Sequence, residues 1–185
     1  MNTFPPAVVV SHVVAPDEPV RLHATVPDGT GPPGLAFTVA VIVSESPRFG
    51  DAGMESWYHP TDLSNVVGLT RSNPDIGGEW SVAVSVPAHN FVAYFYGIYL
   101  EVDFHQKLEH TMFYTQSLEE FQAKDLEREF HKVLVQFREH GPKTWVKFSQ
   151  YGELPEGQTA QAKAGMESYF DSLANFLSKS HSEID

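Results

Sequence analysis

From Phe91 to Phe104 apolar residues recur at every second position, and no other stretch limits the possible folds so strongly. Val92, Tyr94, Tyr96, Ile98, Leu100, Val102 and Phe104 fall on one side of an extended segment, with Glu101 and Asp103 on the other. A period of two is the spacing of a β-strand with one buried face, whereas a helix would scatter these residues around its circumference. The preceding segment, Trp80–Val86, has the same period and places Val82, Val84 and Val86 on one face. Pro87-Ala88-His89-Asn90 links the two and reads as a hairpin connection.

A strand buried on one side needs a second layer to cover it. Ala7–Val14, Pro19–Val26, Leu35–Val43 and His110–Thr115 supply further candidate strands, and the long Ser44–Gly78 stretch is expected to hold others around Val66, Val67 and Leu69. Six or more one-sided strands are buried most simply in an antiparallel β-sandwich of immunoglobulin-like or fibronectin-like type. That is the expected fold of residues 1–116.

Composition changes near Ser117. No lysine precedes Lys107, and after Pro87 only Pro142 and Pro155 remain. Ser117-Leu118-Glu119-Glu120 fits a capping box, in which the serine oxygen and the glutamate satisfy unpaired amides of a helix start. Phe121, Leu126, Phe130, Val133, Leu134 and Phe137 then recur mostly at steps of three and four, predicting an amphipathic helix that Gly141-Pro142 ends. Lys143–Tyr151 reads equally as a short helix or a strand. A second helix is predicted from about Thr159, with Met166, Tyr169, Phe170, Leu173, Phe176 and Leu177 on one stripe. The expected class is therefore α+β: a sandwich over 1–116, then a helical hairpin over 117–185 that packs on the sandwich or on a partner subunit.

A formal charge of -12 disfavours binding to phosphate backbones and anionic lipid, so nucleic acid and membranes are not expected partners. The absence of cysteine removes disulfides, thiolate zinc sites and thiol nucleophiles. Met1–Val10 carries two prolines and no basic residue, unlike a secretory signal, and the longest apolar run, Phe91–Leu100, is about half the length that spans a bilayer. Cytoplasm is the default expectation.

Motifs of chemistry are few. Gly29-Thr30-Gly31-Pro32-Pro33-Gly34 has the spacing of a dinucleotide fingerprint, but its prolines remove two amides and a strand-like segment comes next, so it reads as a loop. No serine sits in a nucleophile elbow, so no catalytic residue is assigned and no cofactor is expected. His105, Glu109, His110 and His131 are the candidate metal ligands, because imidazole and carboxylate are the donors left when cysteine is absent. Trp57, Tyr58 and His59 form an aromatic cluster in the long 44–78 connection and are the candidate ligand-binding residues; the competing reading has Trp57 and Tyr58 plugging the interior.

The segment Trp80–Pro87 followed by Phe91–Tyr96 resembles the terminal β-domain hairpin of PhoPQ-activated pathogenicity-related proteins, where a strand ending in proline precedes an aromatic strand. The resemblance implies a sandwich domain and transfers no catalytic residue, since that family's hydrolase-like portion has no counterpart here.

Two amphipathic helices beside a sheet with its own core point to a non-enzymatic binding or scaffolding protein, joined to a protein partner or to itself. The alternatives are a carbohydrate or small-ligand module using the Trp57–His59 loop, and a metal-dependent enzyme using the histidines.

Overall fold

The computed structural model describes residues 8–14, 51–103, 106–140, 143–154 and 158–182. The predicted strands Pro19–Val26 and Leu35–Val43, the Gly29–Gly34 loop and His105 lie outside these residues.

The chain contributes β1 (Val8–Val14), α1 (Asp51–Trp57), β2 (Ser64–Asn65), β3 (Arg71–Ser72), β4 (Glu79–Val86), β5 (Phe91–Asp103), β6 (Lys107–Thr115), α2 (Leu118–Ala123), β7 (His131–His140), β8 (Lys143–Tyr151) and α3 (Thr159–Ser182). The strands form one antiparallel sheet in the order β1-β8-β7-β6-β5-β4-β2, with β3 also paired to β4. This overturns the immunoglobulin-like β-sandwich. The described strands make a single curled half-barrel, and its inner face is covered by α3 rather than by a second sheet.

The β4–β5 hairpin forms as the alternation requires, pairing Glu79 with Ile98 through to Val86 with Phe91. Asn90 closes the turn in the left-handed region, which asparagine tolerates. Beyond the turn, β5 departs from simple alternation. Phe91, Ala93, Phe95 and Tyr99 join the inner core, while Val92, Tyr94 and Tyr96 pack on the outer face with Ala83, Phe113 and Phe121 of α2. Both faces of β5 are therefore covered at this end. An irregularity between Tyr99 and Glu101 then shifts the phase, returning Val102 to the inner face. Such bulges bend and twist a strand, which curls the sheet around α3.

The helical hairpin expected after Ser117 is also overturned. Ser117 does cap a helix, its Oγ accepting from the Glu120 amide at 3.3 Å. The carboxylate of Glu120, however, accepts from Thr115 Oγ1 and Arg128 Nη1, each at 2.7 Å, instead of reaching back to the Ser117 amide. The helix ends after two turns with Lys124 in the left-handed region. The next regular element is β7, in which Val133, Val135 and Phe137 are buried on one face. Lys143–Tyr151 resolves as the strand β8, paired to β7. Strands from both sides of residue 117 thus belong to one sheet.

The second predicted helix is α3. Its stripe lies on the sheet, with Phe170, Leu173 and Leu177 buried and Met166 and Phe176 packed at the margin of the same core. Burying Leu173 and Leu177 alone stabilises the fold by about 2 kcal/mol each. Among the described residues, no helix is long and apolar enough to cross a membrane.

Candidate functional site: an aromatic cavity beneath the long helix

Between the curled sheet, α1 and α3 lies a cavity of about 40 Å³. The sheet supplies Trp80, Tyr99, Leu108, His110, Val135 and Phe148. The loop-side wall is Met54, Trp57 and Tyr58, and α3 closes the space with Met166 and Phe170. Among the described residues, none that lines it is an aspartate, glutamate, lysine or arginine.

The polar atoms in this wall are few and mostly fixed. Trp80 Nε1 and His110 Nδ1 each donate to the Thr111 carbonyl at 3.0 Å. A carbonyl only accepts, so Nδ1 of His110 carries the ring proton and Nε2 is left as an acceptor. Burial pushes the His110 pKa down to about 4, against a smaller upward pull from the Thr111 bond. The Trp80 ring stands edge-on to this imidazole at 4.7 Å. Tyr99 OH lies 2.9 Å from Ser72 Oγ, and the Ser72 amide donates to Asp51 Oδ1 at 2.7 Å, so the phenol is tied to the start of α1. Burial pushes the Tyr99 pKa up to about 12, partly opposed by the Ser72 bond and reinforced by Asp51. Tyr58 meets Trp57 and Tyr169 of α3 edge-on, both at 5.1 Å. Its pKa, and that of Tyr169, are raised by burial.

Trp57 is different. Only 3% exposed, its indole N–H is buried with no hydrogen-bond partner among the described residues. Leaving such a donor unpaired costs about 1–3 kcal/mol.

A polar clasp ties α3 to the segment after α1. Ser168 Oγ of α3 accepts from the Thr61 amide at 3.0 Å and lies 3.1 Å from Thr61 Oγ1, joining the segment after α1 to the middle of α3.

The residues singled out in the sequence separate into two groups. Trp57 and Tyr58 come together as a wall of the internal cavity rather than as an exposed loop platform. His59 lies beside them but turns its ring nitrogens toward the carbonyls of Pro60 and Ser56, at 2.7 and 3.3 Å. Glu109 and His110 are adjacent on β6 and so project to opposite faces, Glu109 to Lys132 at 3.4 Å and His110 into the cavity. His131 begins β7, its Nδ1 against Gln150 Nε2. Among the described residues, no three histidine, aspartate or glutamate side chains converge as metal ligands do. The sequence reading missed Trp80, Tyr99, Phe148 and Met166 as site residues; they carry no motif, only the period of their strands and helix.

A curled antiparallel half-barrel gripping one long helix over an internal cavity defines the START-like class of folds. The chain belongs to one family of that class, the family described as Activator of Hsp90 ATPase homolog 1-like protein, whose model matches residues 52–178. Solved structures agree. A protein from Chromobacterium violaceum is similar over 90% of this chain and 94% of its own, with 10% identity and a TM-score of 0.64. One from Staphylococcus epidermidis shows 19% identity over 93% and 89% of the two chains, with a TM-score of 0.61. The AHSA1-like protein from Aeromonas hydrophila shows 14% identity over 93% of each chain, again with a TM-score of 0.61. At these identities the likeness concerns the fold. No curated protein matches the chain. The family match overturns the resemblance of the Trp80–Tyr96 hairpin to PhoPQ-activated pathogenicity-related proteins: one short hairpin is common to many antiparallel sheets, whereas the match here runs from α1 into α3.

Proposed function

We propose that this chain binds a small, uncharged, largely apolar ligand in the cavity beneath α3, with Trp57 and Tyr58 among its contacts and His59 at the margin. The observation that carries this reading is the buried indole N–H of Trp57, which has no hydrogen-bond partner among the described residues, in a largely apolar wall. A ligand that offers an acceptor there relieves the cost of an unpaired buried donor. Among the described residues the wall has no charge to pair with a charged ligand, so burying a carboxylate in it costs several kcal/mol.

Size sets the mechanism. A cavity of about 40 Å³ holds a water or two, whereas sites for small organic ligands occupy roughly 300–1,000 Å³. Binding therefore requires α3 to move away from the sheet, and the Ser168–Thr61 clasp is the polar contact that such a movement breaks first. Acid–base catalysis fits less well than binding. A histidine with a pKa of about 4 is a weak base near neutrality, and a tyrosine at about 12 is a weak acid.

Fluorescence titration with neutral aromatic probes, such as N-phenyl-1-naphthylamine, and with carboxylated analogues tests the proposal. The expected result is saturable binding of the neutral probe, weakened at least tenfold by a carboxylate and reduced when Val135→Phe fills the cavity. Equal binding of neutral and charged probes, or indifference to Val135→Phe, would show that the cavity is not the site.

A further inference from the structure

The outer face of the sheet, turned away from α3, is charged unevenly along its length. At one end, Gln136 and Arg138 of β7 lie there opposite Lys147 and Trp145 of β8. At the other end, α2 sits on the same face, with Phe121 stacked on Tyr94 at 4.8 Å, and the loop after it brings Phe130 to within 5.5 Å of Phe113. Residues 117–130 carry five carboxylates against two cations, and residues 136–147 at the far end of the face carry three cations against one carboxylate. In a chain of net charge -12, that second stretch is an unusual concentration of positive charge.

The internal ion pairs leave this asymmetry in place. Lys124 is matched to Glu79 at 3.3 Å, Arg128 to Glu120 at 2.7 Å, and Lys132 to Glu109 at 3.4 Å. Among the described residues, Glu119, Glu127 and Glu129 at the helical end have no cationic partner, and Arg138 and Lys147 at the other end have no carboxylate. Arg138 lies over the Trp145 ring at 5.2 Å. The acidic end also exposes Leu118, Leu126 and Phe130, each more than 40% accessible. Between Phe130 and Arg138 the strand advances about 26 Å, so the two ends are well separated from one another.

We infer that this outer face is a self-complementary surface whose partner is a second copy of the same chain. A two-fold axis through the middle of the face sets each acidic, apolar end against the basic, aromatic end of the other copy, as an isologous dimer demands. Leu126 and Phe130 of one copy then meet Trp145 of the other. Four strands about 30 Å long and about 4.8 Å apart offer roughly 600 Å² per copy, below the roughly 800 Å² typical of stable interfaces. The dimer is accordingly weak, and its charge pairs make it sensitive to salt.

Sedimentation equilibrium on the full chain tests this directly. The expected result is a concentration-dependent dimer at about 50 mM salt that dissociates at about 500 mM, where charges screen over a few ångströms. Arg138→Glu combined with Lys147→Glu, and separately Glu127→Lys combined with Glu129→Lys, each make both ends alike and are monomeric. Mixing the two variants restores association as a heterodimer. Lys147→Glu alone, which leaves the Arg138–Trp145 stack intact, weakens the dimer at unchanged melting temperature and guards against misfolding of the double variant. A wild-type chain that stays monomeric at low salt, a dimer indifferent to either reversal, or variants that fail to associate on mixing would each overturn the inference.

Discussion

Gly97→Ala is the substitution whose cost derives most directly from the geometry. Gly97 is buried on β5 opposite Trp80, and a Cβ placed there would lie 2.0 Å from the carbonyl oxygen of Thr111 and 2.7 Å from its Oγ1. Neither backbone can yield easily, because Thr111 Oγ1 accepts from the Ile98 amide at 2.9 Å and the Thr111 carbonyl accepts from both Trp80 and His110. Forcing one methyl into such a place costs about 1–3 kcal/mol, and loosening one or both side-chain bonds to the carbonyl adds about 1 kcal/mol each. The expected loss is about 3 kcal/mol, or roughly 6–12 °C in melting temperature for a chain of this size. Gly165→Ala supplies the control of opposite sign. That glycine lies within α3 with open space around its missing Cβ, so alanine is expected to add about 0.5–1 kcal/mol through helix propensity alone. Urea unfolding monitored by circular dichroism reads both. If Gly97→Ala unfolds within 0.5 kcal/mol of wild type (about the scatter of a neutral surface change), the close approach of β5 to Thr111 is not a constraint and the reasoning fails.

Three further outcomes are expected. Leu173→Ala, at a fully buried position where α3 meets the sheet, should lower unfolding free energy by about 2–5 kcal/mol; a loss below 1 kcal/mol would mean that α3 is not packed as described. Because the folded state holds His110 neutral down to about pH 4 while the unfolded chain protonates near 6.5, this residue's contribution is complete above 6.5 and is lost as the pH falls toward 4, by on the order of 3 kcal/mol. His110→Gln should remove that part of the pH dependence, and identical slopes in the two proteins would contradict it. Ser168→Ala removes the clasp to Thr61 and should speed both entry and release of a neutral aromatic probe in stopped-flow fluorescence, whereas unchanged rates would place the entrance elsewhere.

The sequence showed strands where alternation was clean. Trp80–Val86 and Phe91 onward form the predicted hairpin, and α3 begins at Thr159 with the predicted stripe inward. It misled where one set of residues satisfies two periods. Phe130, Val133, Leu134 and Phe137 are spaced as on a helix, yet Val133, Val135 and Phe137 are equally spaced for a strand, and pairing with β6 and β8 on both sides decided for the strand. The alternation in β5 pointed to one buried face, but α2 covers the other at Tyr94 and Tyr96, so polarity could not distinguish inside from outside. The sandwich rested on assuming that a second sheet must cover the first; a single 24-residue helix does so instead. Trp57 and Tyr58 were legible as an aromatic pair of interest, but their place in a cavity wall depends on contacts from α3 more than a hundred residues away.

Ligand entry into the aromatic space beneath α3 is read most directly from methionine methyl resonances, which report on it without perturbing the fold. The chain has four methionines. Met54 lines the cavity from α1 and Met166 from α3, while Met112 packs against the same core and is not among the lining residues. Titrating methyl-labelled protein with N-phenyl-1-naphthylamine should shift Met54 and Met166 together, with one shared dissociation constant, and leave Met112 nearly unmoved. Shifts confined to other methyls, or none at saturating probe, would contradict the account.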